Sequence, residues 1–269
     1  MTDIRTDGDR ALIMGILNVT PDSFSDGGKF IDPVKAVEHA LQMASEGADI
    51  IDIGGESTRP GYVPVDGEEE AARVLPVIRG LKDKGLILSL DTTKPEVAAL
   101  AAEEGIGILN DISGDLRSSR MAKIAAYNGA ELVIMFNCRV NGECEGDIME
   151  RAMSEISGNI DYALSKGVPE KDIIIDPGIG FGTTRQQDIV LTKELGRLSF
   201  DGRFRILYAA SRKRIVKDLY PCDGDKDLLD TCSDALALAA RKNGASIIRS
   251  HRIKELRAML DVYDKVIKR

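Results

Sequence analysis

The sequence predicts a single closed (β/α)8 barrel, and three observations predict it. Apolar runs rich in Ile, Leu and Val alternate with helix-like segments along the whole chain, making eight strand–helix pairs. Those pairs fill 269 residues with no linker-like, low-complexity or charge-block interruption, close to the roughly 250 residues of a one-domain barrel. Polar residues also stand at seven of the eight strand ends, where a barrel gathers them on one rim. One domain over 1–269 follows. A doubly wound open sheet is the competing architecture, and nothing resembles the GxGxxG turn of its dinucleotide-binding form.

The first strand, 12–17, is apolar throughout, as suits a strand buried on both faces. It delivers Asn18 into a polar loop, so that 14–29 reads MGILNVTPDSFSDGGK and the connection runs on to about Ile31. Ordinary βα connections take about two to six residues, so this length marks the rim of an active site. The helix 33–45 follows, with Pro33 suited to its first turn. Strand 48–53 leads into the loop GGESTRPGYVPVDG and helix 68–82; strand 86–90 leads into helix 96–104. Strand 106–109 precedes helix 118–127, and strand 131–136 precedes a long helix, 147–165, ended by Gly167. Strand 172–175, helix 186–198, strand 205–208, helix 228–242, strand 246–248 and helix 253–267 complete the chain.

Composition narrows the function. Hydrophobic residues make up 43% and charged residues 30%, an ordinary globular balance. A net charge of −8 argues against a nucleic-acid or anionic-membrane surface, so an anionic ligand needs a local cluster of cations. No apolar run approaches the roughly 18 residues of a spanning helix, and MTDIRTDGDR is no signal peptide, which makes a cytoplasmic protein the expectation. Cys138, Cys144, Cys222 and Cys232 match no common zinc spacing and are read as reduced structural residues. Of the two histidines, His39 falls in mid-helix and is read as a surface or packing residue.

The strand ends carry the chemistry. Asn18 ends the first strand, Asp91 the third, Asn110 the fourth and Asp176 the sixth; Glu56, Thr58 and Arg59 follow the second. Ser211, Arg212 and Lys213 follow the seventh, and Arg249 and His251 end the eighth. One such Asp is more often a helix cap than a catalyst, but a cap does not account for the whole ring. Asp91, Asn110 and Asp176 suit a ligand with several fixed donors and acceptors, such as a heteroaromatic ring. Lys213, Arg249 and His251 make a cationic side beside Asn18, fit for phosphate or pyrophosphate. Phe181, between glycines in GIGFGTT, is placed either for plain packing or to lie near a flat substrate. No Ser–His–Asp or Cys–His arrangement is evident, so the inventory suits a reaction that stabilises a leaving group. These residues alone describe a barrel enzyme acting on a phosphorylated, nitrogen-rich small molecule.

The motifs MGILNVTPDSFSDGGKF, GADIIDIGGESTRPG, SLDTTKPEVA, NDISG, IIIDPGIGFG, SRK and IRSH occur in this order over essentially the whole chain. In that series the sequence closely resembles the dihydropteroate synthase family. The resemblance implies a (β/α)8 barrel, usually a homodimer, and a sulfonamide target. It implies a transferase of folate biosynthesis that condenses 6-hydroxymethyl-7,8-dihydropterin pyrophosphate with p-aminobenzoate, giving 7,8-dihydropteroate and pyrophosphate. It assigns the pterin to Asp91, Asn110, Asp176 and Lys213, and pyrophosphate to Asn18, Arg249 and His251, with Mg²⁺ at Asn18. It assigns p-aminobenzoate to Thr58, Arg59, Pro60, Phe181, Ser211 and Lys213, and catalysis to Asp91, Lys213, Arg249 and His251. The family route is dissociative: pyrophosphate leaves first and the amine then attacks a pterin cation.

The chain departs from the family at several points. Met135-Phe136-Asn137 stands where Met-His-Met is usual, Thr93 where Tyr is usual, Ala209 where Gly is usual and Arg214 where Ser follows the Lys. The segment Leu229-Asp230-Thr231 lacks the usual Gly. Asn137 offers the pterin less apolar contact than Met. Two alternatives therefore stand beside the synthase: a non-catalytic or altered-specificity pterin-binding paralogue, and a pterin-dependent methyltransferase. The methyltransferase needs neither the SFSDGGK and STRPG loops nor a pyrophosphate clamp.

Overall fold

The computed structural model describes residues 10–20, 32–56, 63–140, 142, 144–222 and 224–267. Eight parallel strands close into a barrel in sequence order: β1 (Leu12–Asn18), β2 (Ile50–Gly54), β3 (Ile87–Asp91), β4 (Ile108–Asp111), β5 (Glu131–Met135), β6 (Ile173–Asp176), β7 (Arg205–Tyr208) and β8 (Ile247–Ser250). β8 returns to β1 with Leu12 opposite Ile247 and Met14 opposite Arg249. The helices between them are α1 (Pro33–Ser45), α2 (Gly67–Leu81), α3 (Pro95–Glu103), α4 (Met121–Asn128), α5 (Ile148–Ser165), α6 (Arg185–Lys193), α7 (Arg214–Leu219), α8 (Lys226–Lys242) and α9 (Lys254–Ile267). No helix among the described residues is long and apolar enough to cross a membrane.

Successive side chains of a strand point to opposite faces, and here that alternation builds two cores. Leu12, Met14, Ile50, Ile108, Val133, Ile174, Leu207 and Ile247 point into the barrel and form one buried apolar floor. The residues between them, such as Ile13, Ile51, Leu88, Leu132 and Ile206, belong to a second core shared with helix residues including Val74, Ala98, Leu191 and Leu256. One inward step above the floor the same alternation delivers Asp52, Ser89, Asn110, Asp176 and Arg249. Helix starts are capped locally: Asp32, Asp66, Asp147 and Asp225 each accept a first-turn N–H of α1, α2, α5 and α8.

Four local expectations change. The expected helix over 186–198 ends at Lys193 and continues as a 3-10 turn, Leu195–Ser199. Gly196 packs so close to the Asn243 carbonyl that an added Cβ would lie 3.2 Å from it. The helix expected from 118 starts at Met121, because Ser118 and Ser119 bond back to the Asp115 and Leu116 carbonyls. The strand expected at 106–109 runs Ile108–Asp111, since Ile106 N still bonds the Ala101 carbonyl of α3. The six-residue α7 was not expected; it is too short to show helical periodicity.

The reading of all four cysteines as reduced also needs correction. Cys138 and Cys144 are joined as a disulfide, with Cα atoms 5.8 Å apart, while Cys222 and Cys232 are thiols. The two cysteines are six residues apart in sequence and follow β5, and Gly142 between them takes φ +85°.

Candidate active site

The centre of the site is a buried ionic network at the carboxyl ends of the strands. Register sets it: Asp52 of β2 lies opposite Ser89 of β3, and Asp91 opposite Asn110 of β4. Asp52, fully buried, accepts from Ser89 Oγ at 2.6 Å, Asn110 Nδ2 at 3.2 Å and Arg249 Nε at 2.5 Å. The other arm of the Arg249 guanidinium donates from Nη2 to Asp91 Oδ2 at 2.7 Å. Among the described residues Asn110 Oδ1 is buried with no hydrogen-bond partner. A buried acceptor of this kind costs free energy unless a ligand donor meets it.

Asp176, buried at the end of β6, accepts from the Gly178 N–H at 2.7 Å. That bond turns the chain into the 178–184 loop. Gly178 has φ +70°, and any Cβ there would overlap the Phe136 carbonyl oxygen, so only glycine fits. Lys213, just before α7, donates to the Ile179 carbonyl at 2.9 Å and places Nζ 4.6 Å from the centre of the Phe181 ring. Arg139 lies over the same ring, its guanidinium carbon 5.5 Å from the centre. Phe181 is thus held by cations beside a cavity of about 150 Å³, which is also lined by Asp91, Ser113, Asn137 and Arg139.

Burial governs the electrostatics of this basin. It pushes the Asp91 carboxyl up to about 7 against the pull of Arg249, with Asp52 and Glu70 adding to the rise. Burial likewise raises Asp176 above the ordinary range, opposed first by Lys213. The Lys213 ammonium is drawn down to about 8 by its own burial, with Asp176 opposing the shift. The basin therefore holds carboxyl and amine groups whose charge changes near neutral pH, a pattern common at sites that work on protons or charge.

The structure thus brings Asp91, Asn110, Asp176, Lys213 and Arg249 into one basin. His251 pairs its Nδ1 with Ser211 Oγ at 3.0 Å. Asn18, half-buried, ends β1 opposite Gly54. Arg249 lies deeper, opposite Met14, and faces two carboxylates; it reaches an anion only by exchanging them. Thr58, Arg59 and Pro60 lie outside the described residues. Asn137 lines the cavity but is tethered there by its own hydrogen bonds. Its amide donates to the Ile112 and Ser113 carbonyls and accepts from Arg139 N, stitching the loops after β4 and β5 together. By strand alternation Met135, opposite Asp176, is the inward apolar residue of β5.

Sequence reasoning missed Asp52, Ser89 and Arg139. Asp52 had a signal, a lone carboxylate two residues inside an apolar strand on the face that carries Gly54 and the rim. Arg139 had none, since its place over Phe181 depends on a loop contact between Cys138 N and the Phe181 carbonyl.

A family model described as pterin binding enzyme matches residues 14–251. A dihydropteroate synthase of Clostridium beijerinckii is 40% identical over 263 residues, covering 97% of this chain and 96% of that protein. Among solved structures, a dihydropteroate synthase of Clostridium difficile in the presence of pteroic acid superposes with a TM-score of 0.91 at 39% identity, covering 98% of this chain and 100% of the other. One from Xanthomonas albilineans in complex with 7,8-dihydropteroate gives 0.86 at 35% identity, covering 97% and 95%.

Proposed function

Because the chain belongs to the pterin-binding enzyme family, and within it matches dihydropteroate synthases over nearly its whole length, we propose that its basin carries out the synthase reaction. The enzyme is a transferase. It condenses 6-hydroxymethyl-7,8-dihydropterin pyrophosphate with p-aminobenzoate, releasing pyrophosphate and forming 7,8-dihydropteroate. The C–O bond to pyrophosphate breaks with its electron pair on the leaving group. The arylamine nitrogen then forms the new C–N bond and gives up one proton.

The unpartnered Asn110 Oδ1 carries this reading. Asn110 stands opposite Asp91 in the barrel, in a basin that also holds Asp176, and such a set of fixed acceptors matches the N–H and amino edge of a pterin. Asp91, Asn110, Asp176 and Lys213 hold that ring. A carboxylate at Asp91 stabilises the cation left when pyrophosphate departs. Asn18, Arg249 and His251 take the pyrophosphate, with Arg249 moving from Asp91 to the anion as charge develops there. Phe181, Ser211, Lys213 and the segment bearing Thr58, Arg59 and Pro60 take p-aminobenzoate, which makes a sulfonamide, its mimic, the expected inhibitor.

Among the described residues no group of three or more His, Cys, Asp or Glu side chains can hold a metal unaided. Asn18 offers one amide oxygen. That donor set fits Mg²⁺ carried in on pyrophosphate, because Mg²⁺ keeps several waters and takes only one or two protein ligands alongside substrate phosphates. When bound it neutralises charge on the departing pyrophosphate. The enzyme works in the cytoplasm as a homodimer on this reading. The test is pyrophosphate release from the pterin substrate with Mg²⁺, with and without p-aminobenzoate. Release in both supports the dissociative route, release only with p-aminobenzoate a slow, amine-dependent scission, and release in neither defeats the proposal.

A further inference from the structure

Bonded to the 178–184 loop is a buried carboxyl that the reaction scheme above does not use. Asp188, in the first turn of α6, is fully buried. Its Oδ1 accepts the Gly180 N–H at 3.0 Å and the Thr183 hydroxyl at 2.5 Å. The Gly180 N–H also reaches Thr183 Oγ1 at 3.1 Å, so one carboxyl oxygen closes a small ring of bonds across the loop. Oδ2 has no hydrogen-bond partner among the described residues. A first-turn acid ordinarily serves the dipole of its own helix from the surface. This one is out of reach of water, and both donors to its Oδ1 come from the loop.

The bond to Gly180 matters because of what lies at the other end of the same peptide. The Gly180 N–H and the Ile179 carbonyl belong to one planar group. Asp188 holds its N–H end, and Lys213 Nζ donates to its carbonyl end at 2.9 Å. One peptide plane therefore stands between the carboxyl and the ammonium. The stem of the lysine runs close to that plane, since a Cβ on Gly180 would fall 3.6 Å from Lys213 Cδ. Thr183 repeats the pattern one step on: its hydroxyl bonds Asp188, and its carbonyl accepts from Arg214 Nη2 at 2.7 Å. Asp188 thus grips the loop at the two residues, 180 and 183, through which the loop meets Lys213 and Arg214.

We infer that Asp188 is a positioning residue for Lys213: by fixing the peptide plane between Ile179 and Gly180 it holds the ammonium beside Phe181 in the basin, without touching substrate. The inference rests on the reading that Lys213 holds the pterin. The side chain serves as an acceptor. Burial raises the Asp188 carboxyl above its ordinary range, against the bonds from Thr183 and Gly180 and the charge of Lys213. An amide oxygen at the same place accepts the same two donors.

A double-mutant cycle between Asp188→Ala and Lys213→Met, read as calorimetric affinity for the pterin pyrophosphate, tests it. With Lys213 present, Asp188→Ala is expected to weaken binding about tenfold, the scale of one lost hydrogen bond to a charged group. In the Lys213→Met protein the same substitution should change affinity by less than about twofold. Asp188→Asn, which keeps the acceptor, should stay within about twofold of wild type. Asp188→Leu fills the space without an acceptor and takes the place of the alanine variant if that one does not fold. Amide exchange at Gly180 reads the tie itself: protection should fall by about tenfold or more with Ala or Leu and be kept with Asn. Additive losses in the cycle, no loss with Ala or Leu, or an equal loss with Asn in a folded protein would overturn the inference. Wild-type protein that bound no pterin pyrophosphate would instead defeat the functional reading beneath it, and exchange at Gly180 would then decide whether Asp188 holds the loop.

Discussion

Arg249 and Asp91, 158 residues apart in sequence, meet across the barrel with Nη2 of one 2.7 Å from Oδ2 of the other. The same guanidinium bonds Asp52 through Nε. A single cation therefore compensates two carboxylates, one of them fully buried.

Removing that cation has two consequences. Arg249→Ala leaves Asp52 and Asp91 uncompensated, and the fold loses about 3–5 kcal/mol, the cost of breaking a buried pair from one side. Pyrophosphate binding also weakens, by about 2–3 kcal/mol for a charge-assisted contact. Thermal melts and calorimetry on the folded protein measure the two effects separately. Unchanged pyrophosphate affinity would remove Arg249 from the anion site.

Asp176→Asn separates ring recognition from anion recognition. The carboxylate accepts from Gly178 N and still offers lone pairs to a ring donor, whereas the amide presents a donor where an acceptor is needed. Pterin affinity is expected to fall by about 1–3 kcal/mol with pyrophosphate affinity unchanged. An equal fall in both, read by calorimetry, would make Asp176 an organiser of the whole rim.

The pH dependence follows from Asp91, whose carboxyl burial pushes up to about 7. In the proposed reaction the charged form accepts ring N–H groups and stabilises the cation, so pterin affinity and turnover are expected to rise with pH and level off above about 7. Below that value affinity falls by up to about tenfold per pH unit. Stability runs the other way. The folded protein holds this proton where the unfolded chain, with an ordinary carboxyl near 3.8, has lost it. The stability Asp91 contributes is thus full below about 3.8 and is lost as pH rises through about 7. Asp91→Asn should remove the step near 7 from the binding profile.

Much of the architecture was legible because strand ends announce themselves. A run such as Ile87 to Leu90 followed by Asp91, or Ile173 to Ile175 followed by Asp176, marks both the strand and its rim residue. Period-two alternation could have gone one step further and found Asp52 and Ser89. What the chain does not carry locally is partnership across the barrel. Arg249 reads as a cation at a strand end, and nothing near it in sequence says that Asp52, 197 residues away, already holds it. The split of the 186–198 helix at Gly196 depended on the Asn243 carbonyl, which no local pattern reveals.

The central claim is that the barrel's polar basin is a pterin seat whose unpartnered acceptor is Asn110 Oδ1. The most direct measurement is calorimetric binding of the pterin pyrophosphate, and of pyrophosphate alone, to wild type and to Asn110→Ala. The account predicts a loss of about 1–3 kcal/mol for the pterin substrate, the value of a buried hydrogen bond, with pyrophosphate binding unchanged. Wild-type pterin affinity in a folded Asn110→Ala protein would contradict it.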